Sequence, residues 1–168
     1  STSRGLGDVY KRQCAYKLFR ALKEELPGEY KIFHLSSNMC PQHRMDSLAK
    51  IKTALKDKAA HVICVSTQVV EAGVNFSFHC VIRSKAGLDN VVQAAGRCNR
   101  NGKRKIEESN TYIFSLENAK EVQSQKLALA VTETLMQKNM ELDMPETIES
   151  YFEQLYHYKG KSLDEKDI

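Results

Sequence analysis

Two short runs in this 168-residue chain carry residue types from which chemistry could be built. The first is VSTQVVEAGVNF, Val65 to Phe76. It leaves an apolar run through Ser66 and Thr67 and then passes Glu71 and Gly73. Short hydroxyl side chains and free backbone N–H groups at a strand exit suit phosphate oxygens, contacts that position a nucleic acid without reading its bases. Taken alone, an ordinary strand-to-helix cap by Ser66 or Thr67 accounts for the segment better. The second run is QAAGRCNR, Gln93 to Arg100. Gln93, Arg97 and Arg100 are spaced by four and then three, which on a helix puts all three on one face. Two guanidiniums aimed one way match the oxygens of a γ-phosphate, and Gly96 removes a side chain where close approach is needed. Taken alone, this run is better read as a solvated basic face.

The elements that must position these runs follow from hydrophobic period. Residues 14–26 place Leu18, Phe19, Leu22 and Leu26 on one face of a helix, which Pro27-Gly28 stops. A strand follows at 31–35, and Ser36 to Cys40 form a loop. Pro41 then opens a helix reaching Lys56, with Met45, Leu48, Ile51 and Leu55 inward. Residues 61–65 and 79–83 read as strands, the first nearly continuous in apolar residues, as in a sheet buried on both faces. A short helix from Asp89 to Cys98, capped by Asp89, precedes a strand at 111–115. A longer helix spans Glu117 to Asn139, with Val122, Leu127, Val131 and Leu135 inward. Asp143, Pro145 and Glu146 resemble a capping box opening a last helix to Tyr158. Strands alternating with helices predict an α/β fold, a three-layer αβα sandwich on a mostly parallel sheet. Ligands in such sheets sit outside the carboxyl ends of the strands, so the loops after Leu35, Val65 and Arg83 are where chemistry is expected.

Composition bounds the partners. Apolar residues are 42% and charged residues 27% of the chain, values of an ordinary globular domain. No apolar run is long enough to span a bilayer and no leader opens the chain, so the expected location is cytoplasmic, away from any membrane. The five cysteines (Cys14, Cys40, Cys64, Cys80 and Cys98) form no C-x-x-C pair, and they are expected to be buried structural thiols without a metal or disulfide framework.

The first residues differ from the rest. Ser3 to Gln13, SRGLGDVYKRQ, resembles the translation of a transposase sequencing adapter, codon by codon. Residues 1–13 are therefore expected to be non-native, residues 14–160 to form the domain with a helical C-terminal extension, and residues 161–168 to be a polar tail or linker. Truncation there would remove a first strand. The segment's Arg4, Lys11 and Arg12 against Asp8 supply half of the formal net charge of +4. Global charge is then too weak to argue for nucleic acid, and local sites must carry that argument.

Taken together the two runs are far more specific than either alone. A hydroxyl-rich strand exit, Glu-x-Gly, a further strand and then Q-x-x-G-R-x-x-R is the order of motifs V and VI in superfamily-2 helicases. With HLSSNMCPQHR (His34 to Arg44) and GLDNVVQAAGRCNRNG (Gly87 to Gly102), the chain resembles the second RecA-like domain of the helicase–nuclease of type I CRISPR systems. Those proteins join an HD-type metal nuclease to two motor domains. The resemblance implies a motor that hydrolyses ATP with magnesium and translocates on single-stranded DNA, alongside a Cascade-type surveillance complex. It implies that Arg100 is the arginine finger and Arg97 its companion on the γ-phosphate. Gln93, Gly96, Glu71 and Gly73 would lie near the nucleotide. Ser66, Thr67, Ser36, Ser37 and Arg44 would face the nucleic acid. Asn75 departs from the family, which more often has Asp there.

The missing parts are equally informative. Gly96 to Lys103 is one residue too long for a Walker loop, and Arg104 stands where a hydroxyl must ligate magnesium. No strand precedes Asp164-Glu165, and none of the five histidines forms an H-D pair. The phosphate cradle, the magnesium and the nuclease are therefore expected on the first motor domain and nuclease of the full-length protein, and this chain alone is expected to be inactive. Lys103, Arg104 and Lys105 read as a solvated loop, and the aromatics from Tyr151 to Tyr158 as packing. Two other readings remain: the matching domain of another superfamily-2 helicase, and a noncatalytic nucleic-acid-binding module.

Overall fold

The structure is a computed structural model that describes residues 3–36, 38–67, 75–115 and 125–164. In chain order the elements are α1 (Ser3–Glu25), β1 (Tyr30–Leu35), α2 (Pro41–Ala54), β2 (His61–Ser66), β3 (Val81–Ser84), α3 (Leu88–Ala95), a 3-10 turn at Ile106–Glu108, β4 (Thr111–Phe114), α4 (Lys126–Gln137) and α5 (Pro145–Asp164). The chain divides into two compact units, Ser1–His79 with Asn99–Arg104 and Cys80–Cys98 with Lys105–Ile168.

The first unit is built on a β1–α2–β2 crossover. β1 and β2 pair in parallel from Tyr30↔His61 to Leu35↔Ser66. Parallel neighbours need a crossover connection, which α2 supplies. Pro41 opens α2, where a missing N–H costs nothing. Leu35, Ile51 and Phe76 are buried together, with Phe33, Leu48, Leu55, Cys64 and Phe78 packed around them. The expected inward Met45 is instead 65% exposed, since the buried face of α2 runs through Ile51 and Ala54. Likewise Leu18 is half exposed. The half-buried face of α1 carries Ala15, Phe19 and Leu22, continued by Leu26 just past its end, with Phe19 beside His34 at 5.4 Å between rings. The helix expected from residue 14 runs back without a break to Ser3.

The second unit repeats the arrangement. β3 and β4 pair in parallel from Val81↔Thr111 to Ser84↔Phe114, with α3 as the crossover. Leu88 and Val91 of α3, Val131 and Leu135 of α4, and Tyr151 and Leu155 of α5 form its core. The aromatic run of α5 divides: Tyr151 is fully buried, while Tyr156 is 65% exposed. α5 continues past Gly160 to Asp164, so residues expected in the tail are helical. The front of the expected Glu117 helix, Val122 included, lies outside the described residues, and α4 is described from Lys126.

Asp89 does not cap α3 as the sequence suggested. The N-cap is Gly87, with no side-chain capping bond. The Asp89 carboxylate turns to the core, where it accepts the Tyr151 hydroxyl at 2.9 Å and the Asn90 side-chain amide at 2.9 Å. A Cβ on Gly87 would lie 2.6 Å from Asp89 Oδ1, 2.7 Å from the Tyr151 hydroxyl and 2.9 Å from Ala128 Cβ. Glycine is therefore required where α3, α4 and α5 converge.

Candidate functional site

The carboxyl edge of β1–β2 gathers the hydroxyls picked out in the sequence. Leu35 and Ser66 are the last register pair, and the Thr67 N–H extends the ladder to the Leu35 carbonyl at 3.3 Å. Ser36, Ser66 and Thr67 thus stand at one end of two adjacent strands. Ser36 Oγ accepts the Asn38 N–H at 3.4 Å, and the Ser36 carbonyl accepts the Met39 N–H at 3.1 Å, which turns the chain toward α2. Ser66 is exposed. Thr67 Oγ1 is buried and finds no hydrogen-bond partner among the described residues, a state that ordinarily costs about 1–3 kcal/mol. The α2 N-terminus follows this edge, its N-cap Cys40 extended and without a capping bond, so its first N–H groups favour anions. Arg44 lies in the opening turns of α2, half-buried, with its N–H on the Cys40 carbonyl at 3.0 Å. Ser37, Glu71 and Gly73 lie outside the described residues.

The QAAGRCNR run does not form one helical face. α3 ends at Ala95, and the N–H groups of Arg97 and Cys98 reach back only three residues, to Ala94 and Ala95, at 2.9 and 2.8 Å. Asn99 then adopts a left-handed backbone with φ of 47°. Gln93 is exposed on α3 within the second unit, and Arg97 is half-buried in the turn beyond it. Arg100 is exposed and belongs to the first unit, past the break. The physical reason is the tightened exit from α3 followed by a left-handed residue, which a 3.6-residue spacing rule cannot follow. Gly96 has φ of −61°. A Cβ there would meet only ordinary contacts, at 3.5 Å from the Val92 carbonyl oxygen and 3.6 Å from that of Gln93. Its own chain leaves room for a side chain, unlike Gly87.

Residues 99–104 form a closed loop that sequence reasoning missed. The Asn99 carboxamide donates to the Arg104 carbonyl at 2.7 Å and accepts the Arg104 N–H at 3.0 Å. The Gly102 N–H donates to the Asn99 carbonyl at 2.8 Å, and Gly102 has φ of 59°. Arg104 is half-buried rather than solvated: its guanidinium donates to the Phe78 carbonyl at 3.5 Å and meets His79 Nε2. Burial first, and then the Arg104 charge, hold the His79 pKa below its ordinary value. The signal available in the sequence was N-x-x-G, a turn spacing, at Asn99 to Gly102.

At the carboxyl end of β3, burial lowers the Arg83 pKa while the nearby Asp89 charge raises it. Burial, with the bond to Asp89, raises that of Tyr151. Arg83 Nε has no partner among the described residues. The cysteines are free thiols, but Cys40 and Cys80 are exposed rather than buried as expected. No helix among the described residues is long and apolar enough to cross a membrane.

Parallel strand pairs, each joined through a helix, define the class, an α/β domain. Residues 10–103 match the family described as "CRISPR-associated nuclease/helicase Cas3, C-terminal". The chain belongs to that family. A Haloferax volcanii protein described as CRISPR-associated nuclease/helicase Cas3 is 47% identical over 53 residues, which are 32% of this chain and 6% of that protein. The crystal structure of T. fusca Cas3 superposes with a TM-score of 0.66 at 18% identity, covering 95% of this chain and 22% of that one. The T. fusca Cas3-AMPPNP structure gives 0.66 at 20% identity, covering 90% and 20%. At such identities the superpositions establish the fold. This chain spans about a fifth of those structures and a far smaller share of the curated relative.

Proposed function

We propose that this chain is the second motor domain of an ATP-dependent, single-strand-translocating DNA helicase in type I CRISPR defence. The observation that carries the reading is the carboxyl edge of β1–β2, where Ser36, Ser66 and the buried Thr67 hydroxyl, without a partner among the described residues, lie at one end of adjacent strands. A phosphate oxygen there would accept from the Thr67 hydroxyl. Arg44, Ser37 and the α2 N-terminus would add to a contact that follows the backbone and ignores sequence. Nucleic-acid-facing residues at this edge are what the family membership leads one to expect.

The nucleotide side of the reading rests on the motif order and on the exposure of Arg100. Arg100 acts as the finger and Arg97 as its companion, donating to the γ-phosphate of ATP that the first motor domain holds with magnesium. ATP supplies the phosphoryl group whose transfer drives the motor. By the same resemblance, Gln93, Gly96, Glu71 and Gly73 would contribute near that nucleotide. Charge delivered in this way is worth about 10³–10⁵-fold in rate in GTPases. Domain closure and opening would move the strand contacts of the β1–β2 edge and so turn hydrolysis into translocation. An HD nuclease on the same polypeptide and a Cascade-type surveillance complex complete the proposed setting.

Arg100→Ala in the full-length enzyme is expected to remove DNA-stimulated ATP hydrolysis and leave single-strand binding intact. Wild-type turnover in that variant rejects the finger. The 168-residue chain alone is expected to hydrolyse no ATP, checked by phosphate release from purified protein. The first 13 residues are proposed to be adapter-derived. Reading the source DNA across the codons for Gln13 and Cys14 tests this, because native DNA would lack the adapter codons.

A further inference from the structure

We infer that Asn99 and Arg104 are positioning residues for Arg100, a proposal that rests on the finger role given to Arg100 above. Arg100 is the first residue inside the loop 99–104. A free six-residue loop would let an exposed guanidinium sample many placements, at a cost in every productive encounter. This loop is not free. The Asn99 carboxamide bonds both backbone groups of Arg104, at 2.7 and 3.0 Å, and so joins the loop's two ends as a strand neighbour would. The turn from Asn99 to Gly102 tightens it, using two left-handed residues that asparagine and glycine tolerate best.

Both ends are also anchored to one carbonyl. The Asn99 N–H donates to the Phe78 oxygen at 2.9 Å, and the Arg104 guanidinium donates to the same oxygen at 3.5 Å while meeting His79. Phe78 packs edge-on against Phe76 at 6.0 Å, and Phe76 is 2% exposed in the core with Leu35 and Ile51. Phe76 to His79 directly continues the run that begins with Ser66 and Thr67. The loop that carries Arg100 is therefore rooted in the segment that leads away from the proposed strand contacts. Asn99 sets where Arg100 stands, and Arg104 fastens that position to Phe78 and His79.

The test uses the full-length enzyme and single-turnover hydrolysis sensitive enough to read residual rates. Asn99→Gly keeps a residue that accepts a left-handed backbone and removes only the carboxamide. It is expected to lower kcat about 10- to 100-fold, the scale of a misplacement of about 1 Å, with KM for ATP, DNA affinity and melting temperature nearly unchanged. In an Arg100→Ala background the same change is expected to cost nothing further, because the two residues act as a unit. If Asn99→Gly lowers the melting temperature below that of the assay, Arg104→Lys carries the test, since it keeps the charge and loses the fork. A slow Arg100→Ala enzyme with wild-type kcat in Asn99→Gly, or with additive losses in the double variant, overturns the positioning role and leaves the finger standing. Wild-type turnover in Arg100→Ala instead overturns the finger reading beneath it.

Discussion

At the residue scale, the Tyr151 hydroxyl and the Asp89 carboxylate hold the second unit at its most crowded point. The pair is 2.9 Å apart on a ring that is fully buried. Tyr151→Phe would leave Asp89 with the Asn90 amide as its remaining described side-chain hydrogen bond. It is expected to destabilise the domain by about 1–3 kcal/mol in urea denaturation, the usual worth of a hydrogen bond to a charged, half-buried group. Gly87→Ala is expected to cost at least as much, because its Cβ would press on the same two groups and on Ala128 at under 3 Å. An unchanged midpoint for both variants would mean the Asp89 cluster bears no load. The thiols give a second prediction. Burial pushes the Cys64 thiol up to about 12, whereas Cys40 and Cys80 are exposed. Because the thiolate is the nucleophile, labelling of native protein at neutral pH is expected at Cys40 and Cys80 well before Cys64. Mass spectrometry of the labelled peptides reads the order, and early modification of Cys64 contradicts its burial.

At the element scale, the two β–α–β crossovers decide where the candidate residues stand. β1 and β2 end in register at Leu35 and Ser66, so their exits are neighbours although far apart in sequence. α3 is short, and its tight exit takes Arg97 and Arg100 off a common face. Stability of the second unit depends on α4 packing through Val131 and Leu135 against α3 and α5. Leu135 is fully buried. Leu135→Ala is expected to destabilise by about 2–5 kcal/mol, the transfer and cavity cost of a core leucine. A loss below about 1 kcal/mol by chemical denaturation would show that the site collapses around the smaller side chain.

At the scale of the whole molecule, acid sensitivity follows from two histidines of the first unit. Burial lowers the pKa of His34 from its ordinary 6.5, and burial with the Arg104 charge lowers that of His79. The unfolded chain therefore takes up protons first as pH falls. Their contribution is complete above about pH 6.5 and is lost as pH falls through the lowered folded-state values. Denaturation midpoints measured between neutral pH and pH 5 are expected to drop, and His79→Gln is expected to reduce the slope. A flat profile would count against both shifts. Protonating His79 also removes the acceptor that meets Arg104, so the Arg100-bearing loop is expected to loosen over the same range.

The sequence by itself determined the alternation of strands and helices, the family and the order of the two motifs. Hydrophobic period and motif spacing are local quantities, and a local reading suffices for them. It also marked Ser36, Ser66 and Thr67, because strand ends are visible as the place where apolar runs stop. Other features depended on what the chain meets in space. Gly87 and Asp89 take their roles from Tyr151, which lies 62 residues after Asp89. Arg104 reads as solvated from its neighbours Lys103 and Lys105, yet Phe78 and His79 engage it. Met45 and Leu18 fit the apolar pattern of their helices and are exposed, because the packed faces are set by the strands beneath them. The α3 boundary differs from the expected one because local preference would continue the helix to Cys98, whereas it ends at Ala95 and the chain tightens into three-residue turns before Asn99. Periodicity identifies what an element is, and the partners that satisfy buried polar groups and fill the core decide where it stops and which side chains it presents.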